Sequence, residues 1–188
     1  MLNKILDDAI SYTLVEWEAV IADIVNDNRT DIYPKDTHGY IVKNYELESY
    51  IQSNILFHKK FFNGLQKSSV TSLNLITEAW CLDACIVLPL LRGIVVALPN
   101  AVTRIYPRDQ SETVMQLYLT NGSKSIPIVF GLDKAGQEVF RWGPRSQKAS
   151  ALLVPMIQED YRVKSKALSA FYKSDLTQSI QEEWIDLF

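Results

Sequence analysis

The chain has 188 residues, 47% of them hydrophobic and 22% charged, with a formal net charge of −3. This balance is that of a folded domain and excludes a disordered chain, a collagen and a disulfide-stapled miniprotein. A chain of this length buries roughly 70% of its unfolded surface, so it needs no metal or crosslink to form a core, and its acidic balance without a basic stripe argues against a nucleic-acid partner.

The first residues, Met1 to Asp8, lack the apolar centre of an export signal, since Asp7 and Asp8 arrive too early. The longest nearly uncharged run, 86–101, is broken by Pro89, Arg92 and Pro99. It falls short of the about 20 apolar residues that cross a bilayer. The expectation is a cytoplasmic protein with no membrane partner.

Residues 1–70 carry 7 basic and 10 acidic side chains, whereas 71–188 carry 12 of each. The first part reads as a helical extension. Thr13-Leu14-Val15-Glu16 fits a capping box, in which the hydroxyl accepts from the third amide and the glutamate reaches back. Leu14, Trp17, Ile21, Ile24 and Val25 then recur at helical spacing. Residues 26–36, with Pro34, predict a loop. A second long helix is expected over 45–62, capped by Gly64, with Ile51, Ile55, His58 and Phe62 along one side. Residues 67–69 form a polar joint to the second part.

From residue 71 the period changes. Residues 73–77 predict a strand, 85–98 a helix containing Pro89, 101–106 a strand, and 111–119 an amphipathic helix. Residues 126–132 and 137–142 predict a hairpin whose turn is Asp133-Lys134-Ala135-Gly136, with Gly136 supplying a positive φ. Ser146 opens further helix that runs to the C-terminus. The order is β-α-β-α-β-β-α. A strand, a crossover helix and a second strand form a right-handed parallel unit, and the hairpin adds antiparallel strands. The expected fold class is α/β: a mixed four-stranded sheet with helices on both faces, an N-terminal helical extension over 1–70 and an extra C-terminal helix.

The two cysteines, Cys81 and Cys85, belong to one short segment and cannot form a long-range staple. In a reducing compartment such a pair reads as catalytic, metal-binding or simply buried. On a helix, positions i and i+4 share a face, with Cβ atoms about 5–6 Å apart against about 3.8 Å in a disulfide. Cys85 is thus a small core residue, a resolving cysteine or a metal ligand. The histidines, His38 and His58, both lie in the first part, which disfavours a metal site built on the cysteines. No metal and no cofactor is expected.

Ala79-Trp80-Cys81 ends a strand and opens a helix, Pro89 follows eight residues after Cys81, Ser125-Ile126-Pro127 opens the third strand, and Gly143-Pro144 follows the last. With these features residues 71–160 resemble the thioredoxin fold. The segment Trp80-Cys81-Leu82-Asp83-Ala84 resembles the Trp-Cys-Gly-Asp-Ala segment of a bacterial thioredoxin-like family with an N-terminal helical extension, and the tail from Phe171 to Gln181 is similar to that family's last helix. The resemblance implies a reactive, exposed Cys81 at a helix N-terminus. It also implies a cis bond before Pro127, where Ile126 and Pro127 present backbone to a substrate strand, and a contact surface at Trp80. Two departures stand out: Ala84 replaces the second cysteine of Cys-x-x-Cys, and Leu75 replaces the buried aspartate. The helix terminus favours the Cys81 thiolate, and the neighbouring Asp83 opposes it. The alternative for Cys81 is a packing residue. Arg108, Asp109 and Lys124 read as a solvated face at the same rim, and Trp17, Trp142 and Trp184 as packing residues. The implied activity is thiol-disulfide exchange through Cys81, with Cys85 as an optional partner, acting on protein thiols or disulfides or on a low-molecular-weight thiol. The alternative is a redox-inactive binding module.

Overall fold

In a computed structural model, which describes residues 2–27, 29 and 31–187, nine α-helices among the described residues surround a four-stranded sheet. The strands are β1 (Ser72–Thr77), β2 (Val102–Pro107), β3 (Ile128–Leu132) and β4 (Glu138–Trp142). Their spatial order is β2-β1-β3-β4. β1 runs parallel to β2 and antiparallel to β3, which is antiparallel to β4, so Leu75 lies between Ile105 and Val129. This mixed sheet with helices on both faces is an α/β thioredoxin-like fold.

The pleat sends alternate residues of β1 to opposite faces. Leu73 and Leu75 join Ile105 and Val129 in one cluster, and Ile76 joins Tyr106, Ile128 and Phe130 in the other. Helices α2 (Leu14–Val25), α3 (His38–Asn54), α4 (Lys59–Lys67) and α5 (Val87–Ala97) supply the first cluster. α7 (Gln147–Leu153), α8 (Tyr161–Asp175) and α9 (Gln178–Ile185) complete it. The short α1 (Leu2–Asp8) and α6 (Glu112–Met115) cover the second face through Leu6, Val114 and Met115. The core does not divide at residue 70: Trp17, Ile21 and Ile51 share the cluster of Leu75 and Ile105. Tyr12 extends this continuity by exchanging backbone hydrogen bonds with Ile105 at 2.8 and 2.7 Å.

Thr13 caps α2 as its sequence dictates, with its hydroxyl accepting from the Glu16 amide and Glu16 accepting from the Thr13 amide at 2.7 Å. The single long helix expected over 45–62 is two helices. The chain is extended at Ile55 and His58, and Gly64 lies inside α4 instead of capping it. The cause is distant. Gln181 of α9 accepts from the His58 amide at 2.8 Å, and Gln178 and Gln181 both donate to the Leu56 carbonyl at 2.9 Å. The backbone groups that a helix would satisfy internally are satisfied from across the molecule.

The hairpin turn at 133–136 has Gly136 at φ +76°, and Asp133 accepts from the Ala135 and Gln137 amides at 2.8 and 2.9 Å. The amphipathic segment at 111–119 keeps only one α-helical turn. Among the described residues, no helix is long and apolar enough to cross a membrane.

Candidate functional site

The turn after β1 carries the first site residues. Cys81 precedes a 3-10 turn, Leu82–Ile86, and α5 begins only at Val87. The regular helix start expected at Cys81 is thus a tighter turn. Pro89, third in α5, falls where a helix amide has no internal partner, so it is tolerated without a break.

Across the sheet, the Ile126–Pro127 peptide is cis, and so is Gly143–Pro144. The Cys81 thiol donates to the Ile126 carbonyl across 3.6 Å. Gly143, at φ +125°, lies against this segment so closely that a Cβ there would stand 2.2 Å from the Pro127 carbonyl oxygen. The element after β4 therefore fixes the start of β3.

Cys81 is buried, at 7% exposure, and not exposed as the resemblance implied. Burial pushes its thiol up to about 12, and the negative charge of Asp83 adds to the effect. The backbone amides of Ala84 and Asp83 and the cation of Arg145 pull the other way and do not prevail. The Ile126 hydrogen bond stabilises the neutral thiol in the same sense as burial.

Cys85 is free, as is Cys81. It belongs to the other cluster, and its thiol points at the Cys81 carbonyl across 4.0 Å. Its pKa is well above the ordinary thiol value through burial first, then the charge of Glu48.

A cleft of about 450 Å³ opens beside Cys81, lined among others by Trp80, Arg108, Lys124, Ile126 and Arg145. Trp80 forms one wall, with the Arg108 guanidinium 4.7 Å from its ring centre. Asp109 does not line the cleft; it holds Arg108 at 2.8 Å, and its amide donates to Glu78. Trp80, Cys81 and Ile126 are thus gathered at one opening, with Pro127 directly behind Ile126. Cys85 does not line this cleft; it lines a small internal cavity together with Cys81, Asn44, Glu48 and Glu78.

Three buried polar groupings near the site lie outside the sequence reading. Asp83 accepts two hydrogen bonds from Arg145, at 2.8 and 2.6 Å, and one from the Tyr172 hydroxyl. Glu78, 1% exposed, accepts from the Tyr33 hydroxyl at 2.6 Å and the Asp109 amide at 2.8 Å. Glu48 accepts from Arg92 at 2.5 Å. Burial raises the pKa of both glutamates. The one signal for Asp83 was a charged residue inside the apolar run 81–91, which demands a buried partner. Leu75, at the position of the thioredoxin aspartate, is an ordinary core residue with 0% exposure.

Among the described residues, no three His, Cys, Asp or Glu side chains converge as a metal site. His38 pairs with Asp27 at 3.1 Å and His58 lies at the start of α4, both remote from the cleft lining.

The sequence model of the thioredoxin family matches residues 36–163, and the chain belongs to that family. The match begins ahead of α3, so α3 and α4 lie within the family region, earlier than the boundary at 71. Two solved structures share the fold. One is an HIV epitope-scaffold protein, 17% identical, with a TM-score of 0.56 over 98% of this chain and 95% of that one. The other is a protein of unknown function from Pseudomonas aeruginosa, 19% identical, with a TM-score of 0.50 over 95% of this chain and 96% of that one. No curated protein matches.

Proposed function

We propose that the protein is a single-thiol member of the thioredoxin family that exchanges disulfides through Cys81. The observation that carries this reading is the Cys81 thiol 3.6 Å from the carbonyl of Ile126, beside the cis peptide before Pro127, at the mouth of an open cleft. A partner strand laid along Ile126 takes over that carbonyl with its own amide, which frees the thiol to ionise. The thiolate attacks one sulfur of a partner disulfide; the sulfur–sulfur bond breaks, and the second partner sulfur leaves as a thiolate and takes up a proton. An external thiol then attacks the mixed disulfide, forms a new disulfide with the partner sulfur and returns Cys81 as a thiolate. Trp80 walls the cleft, and Cys85 is not needed for the cycle. A reducing cytoplasm, which supplies such thiols, is the compartment this reading calls for. The likeness to the bacterial family with the Trp-Cys-Gly-Asp-Ala segment agrees with it, since that segment also carries one cysteine.

The test is insulin reduction with a chemical reductant. Turnover above background that is lost in Cys81→Ser and kept in Cys85→Ser supports the reading. Only the thiolate reacts, so iodoacetamide alkylation of Cys81 should rise about tenfold per pH unit from 7 to 9, as expected of a thiol raised to about 12. A plateau below pH 8 would show an activated thiol instead. A second reading, a redox-inactive binding module, is favoured by the raised thiol pKa and by Ala84. It predicts no Cys81-dependent turnover from a fully folded protein.

A further inference from the structure

The whole chain is acidic, with 19 basic against 22 acidic side chains. The cleft beside Cys81 reverses that balance. Arg108, Lys124, Arg145 and Lys164 line it, against one carboxylate, Asp83. Asp83 is already engaged by Arg145 and Tyr172. Asp109 and Glu112, which hold Arg108 at 2.8 Å and Lys124 at 2.6 Å, do not belong to the lining. Lys164 donates at 2.9 Å to the Ile157 carbonyl, a neutral partner, so its charge stays available to the cleft. Four cations against the three carboxylates that hold Arg108, Lys124 and Arg145 leave one positive charge in excess, that of Lys164, and the cations rather than Asp109 and Glu112 face the cleft, which favours an anionic occupant.

A second feature extends the cleft. Val154 and Ile157, on the stretch that joins α7 to α8, and Tyr161, the first residue of α8, are 71%, 74% and 58% exposed. Tyr161 lines the cleft itself and meets Tyr40 edge-on at 6.0 Å. Ile157 adjoins the cleft through its carbonyl, which accepts from Lys164, so exposed apolar side chains border the cleft beside Lys164, in a segment that also carries the exposed Glu159 and Asp160, and this border fits a ligand longer than the cleft. A small anionic thiol would leave that border bare.

We propose that Cys81 engages an acidic polypeptide segment: an extended stretch with Asp or Glu flanking its cysteine and an apolar residue a few positions away for the Val154–Tyr161 border. The proposal rests on the thiol reading only for the part played by the partner's cysteine; the charge preference stands on the cleft. The carboxylates meet Lys124, Lys164 and Arg108, and the strand pairs with Ile126.

The test uses the full-length protein and three synthetic peptides of one length, each with one cysteine and one leucine, flanked by Glu, Gln or Lys. Binding of the S-methylated peptides to Cys81→Ser protein is followed by fluorescence anisotropy, which needs no thiol chemistry. The Glu peptide should bind at least about tenfold more tightly than the Lys peptide at low salt. The difference should shrink severalfold at about 0.5 M salt, where charges are screened within a few ångströms. Lys124→Gln/Lys164→Gln should lower the Glu-to-Lys ratio, with circular dichroism showing the fold retained. Equal binding of the three, tighter binding of the Lys peptide, or binding of a small dicarboxylate disulfide where no peptide binds would overturn the proposal. In parallel, the unmethylated peptides are presented to wild-type protein as thiopyridyl disulfides. A charge preference without any Cys81 adduct would keep the acidic partner and remove the thiol reading. Adduct formation with equal binding and equal rates would do the reverse.

Discussion

Two opposite charges act on one sulfur. The Asp83 carboxylate raises the Cys81 pKa, while the Arg145 cation that binds Asp83 lowers it. Removing each should therefore move reactivity in opposite directions. Asp83→Asn keeps acceptor capacity toward Arg145 and Tyr172 but loses the like charge, so alkylation of Cys81 at pH 8 should rise about threefold to tenfold, the equivalent of about half to one pKa unit. Arg145→Gln should slow it by a smaller factor, since its charge is the weakest of the influences on the thiol. The same sign from both variants, read by mass spectrometry of the alkylated peptide, would show that access and not charge limits the thiol. That Trp80, Cys81 and Ile126 lie around one opening was legible because short contiguous motifs carry them. The Asp83–Arg145 pair was not, because its members stand 62 residues apart and only the fold brings them together. The exposure of Cys81 was misjudged for the same reason. Part of the cover comes from the Ile126 segment, whose carbonyl accepts from the thiol and which lies 45 residues further along the chain.

At the scale of elements, the start of β3 depends on the residue that follows β4. Gly143 combines a φ of +125° with a Cβ position 2.2 Å from the Pro127 carbonyl. An added methyl meets both a backbone clash and a left-handed dihedral. Gly143→Ala should cost about 3 kcal/mol or more, seen as a lower midpoint in urea, and should displace Pro127 from Cys81. A midpoint unchanged within error would show that the contact relaxes freely. The strands were readable because alternation, β-rich runs and an Asp-to-Gly turn are local signals. The interruption between α3 and α4 was not, because the glutamines that satisfy it lie more than 120 residues away. Ser111 to Leu119 shows the opposite limit. Its helical periodicity is real, but after Met115 the chain turns away so that Tyr118 can stack on Phe130 with ring centres 4.1 Å apart.

At the scale of the molecule, the helices before residue 70 are part of the main core. Trp17, Ile41 and Ile51 are nearly fully buried in the cluster that also holds Leu75, Cys85 and Leu88. Glu48 of α3 reaches Arg92 of α5, which in turn holds Glu18 of α2 at 2.5 Å, so one ion-pair group ties three helices together. A fragment of residues 71–188 would expose that apolar face and leave Arg92 without either carboxylate. It should be insoluble, or compact with retained far-ultraviolet and lost near-ultraviolet circular dichroism. A soluble fragment with a cooperative melting transition would contradict this.

The pair of hydrogen bonds between Tyr12 and Ile105 has a consequence for association. β2 borders the sheet, and the outward amide and carbonyl of Ile105 are taken by Tyr12. A border strand with open amides is a template on which a second chain can add its own strand. Here a single residue between two helices occupies that template at its middle, so growth of the sheet into a neighbouring molecule is interrupted at its first rung.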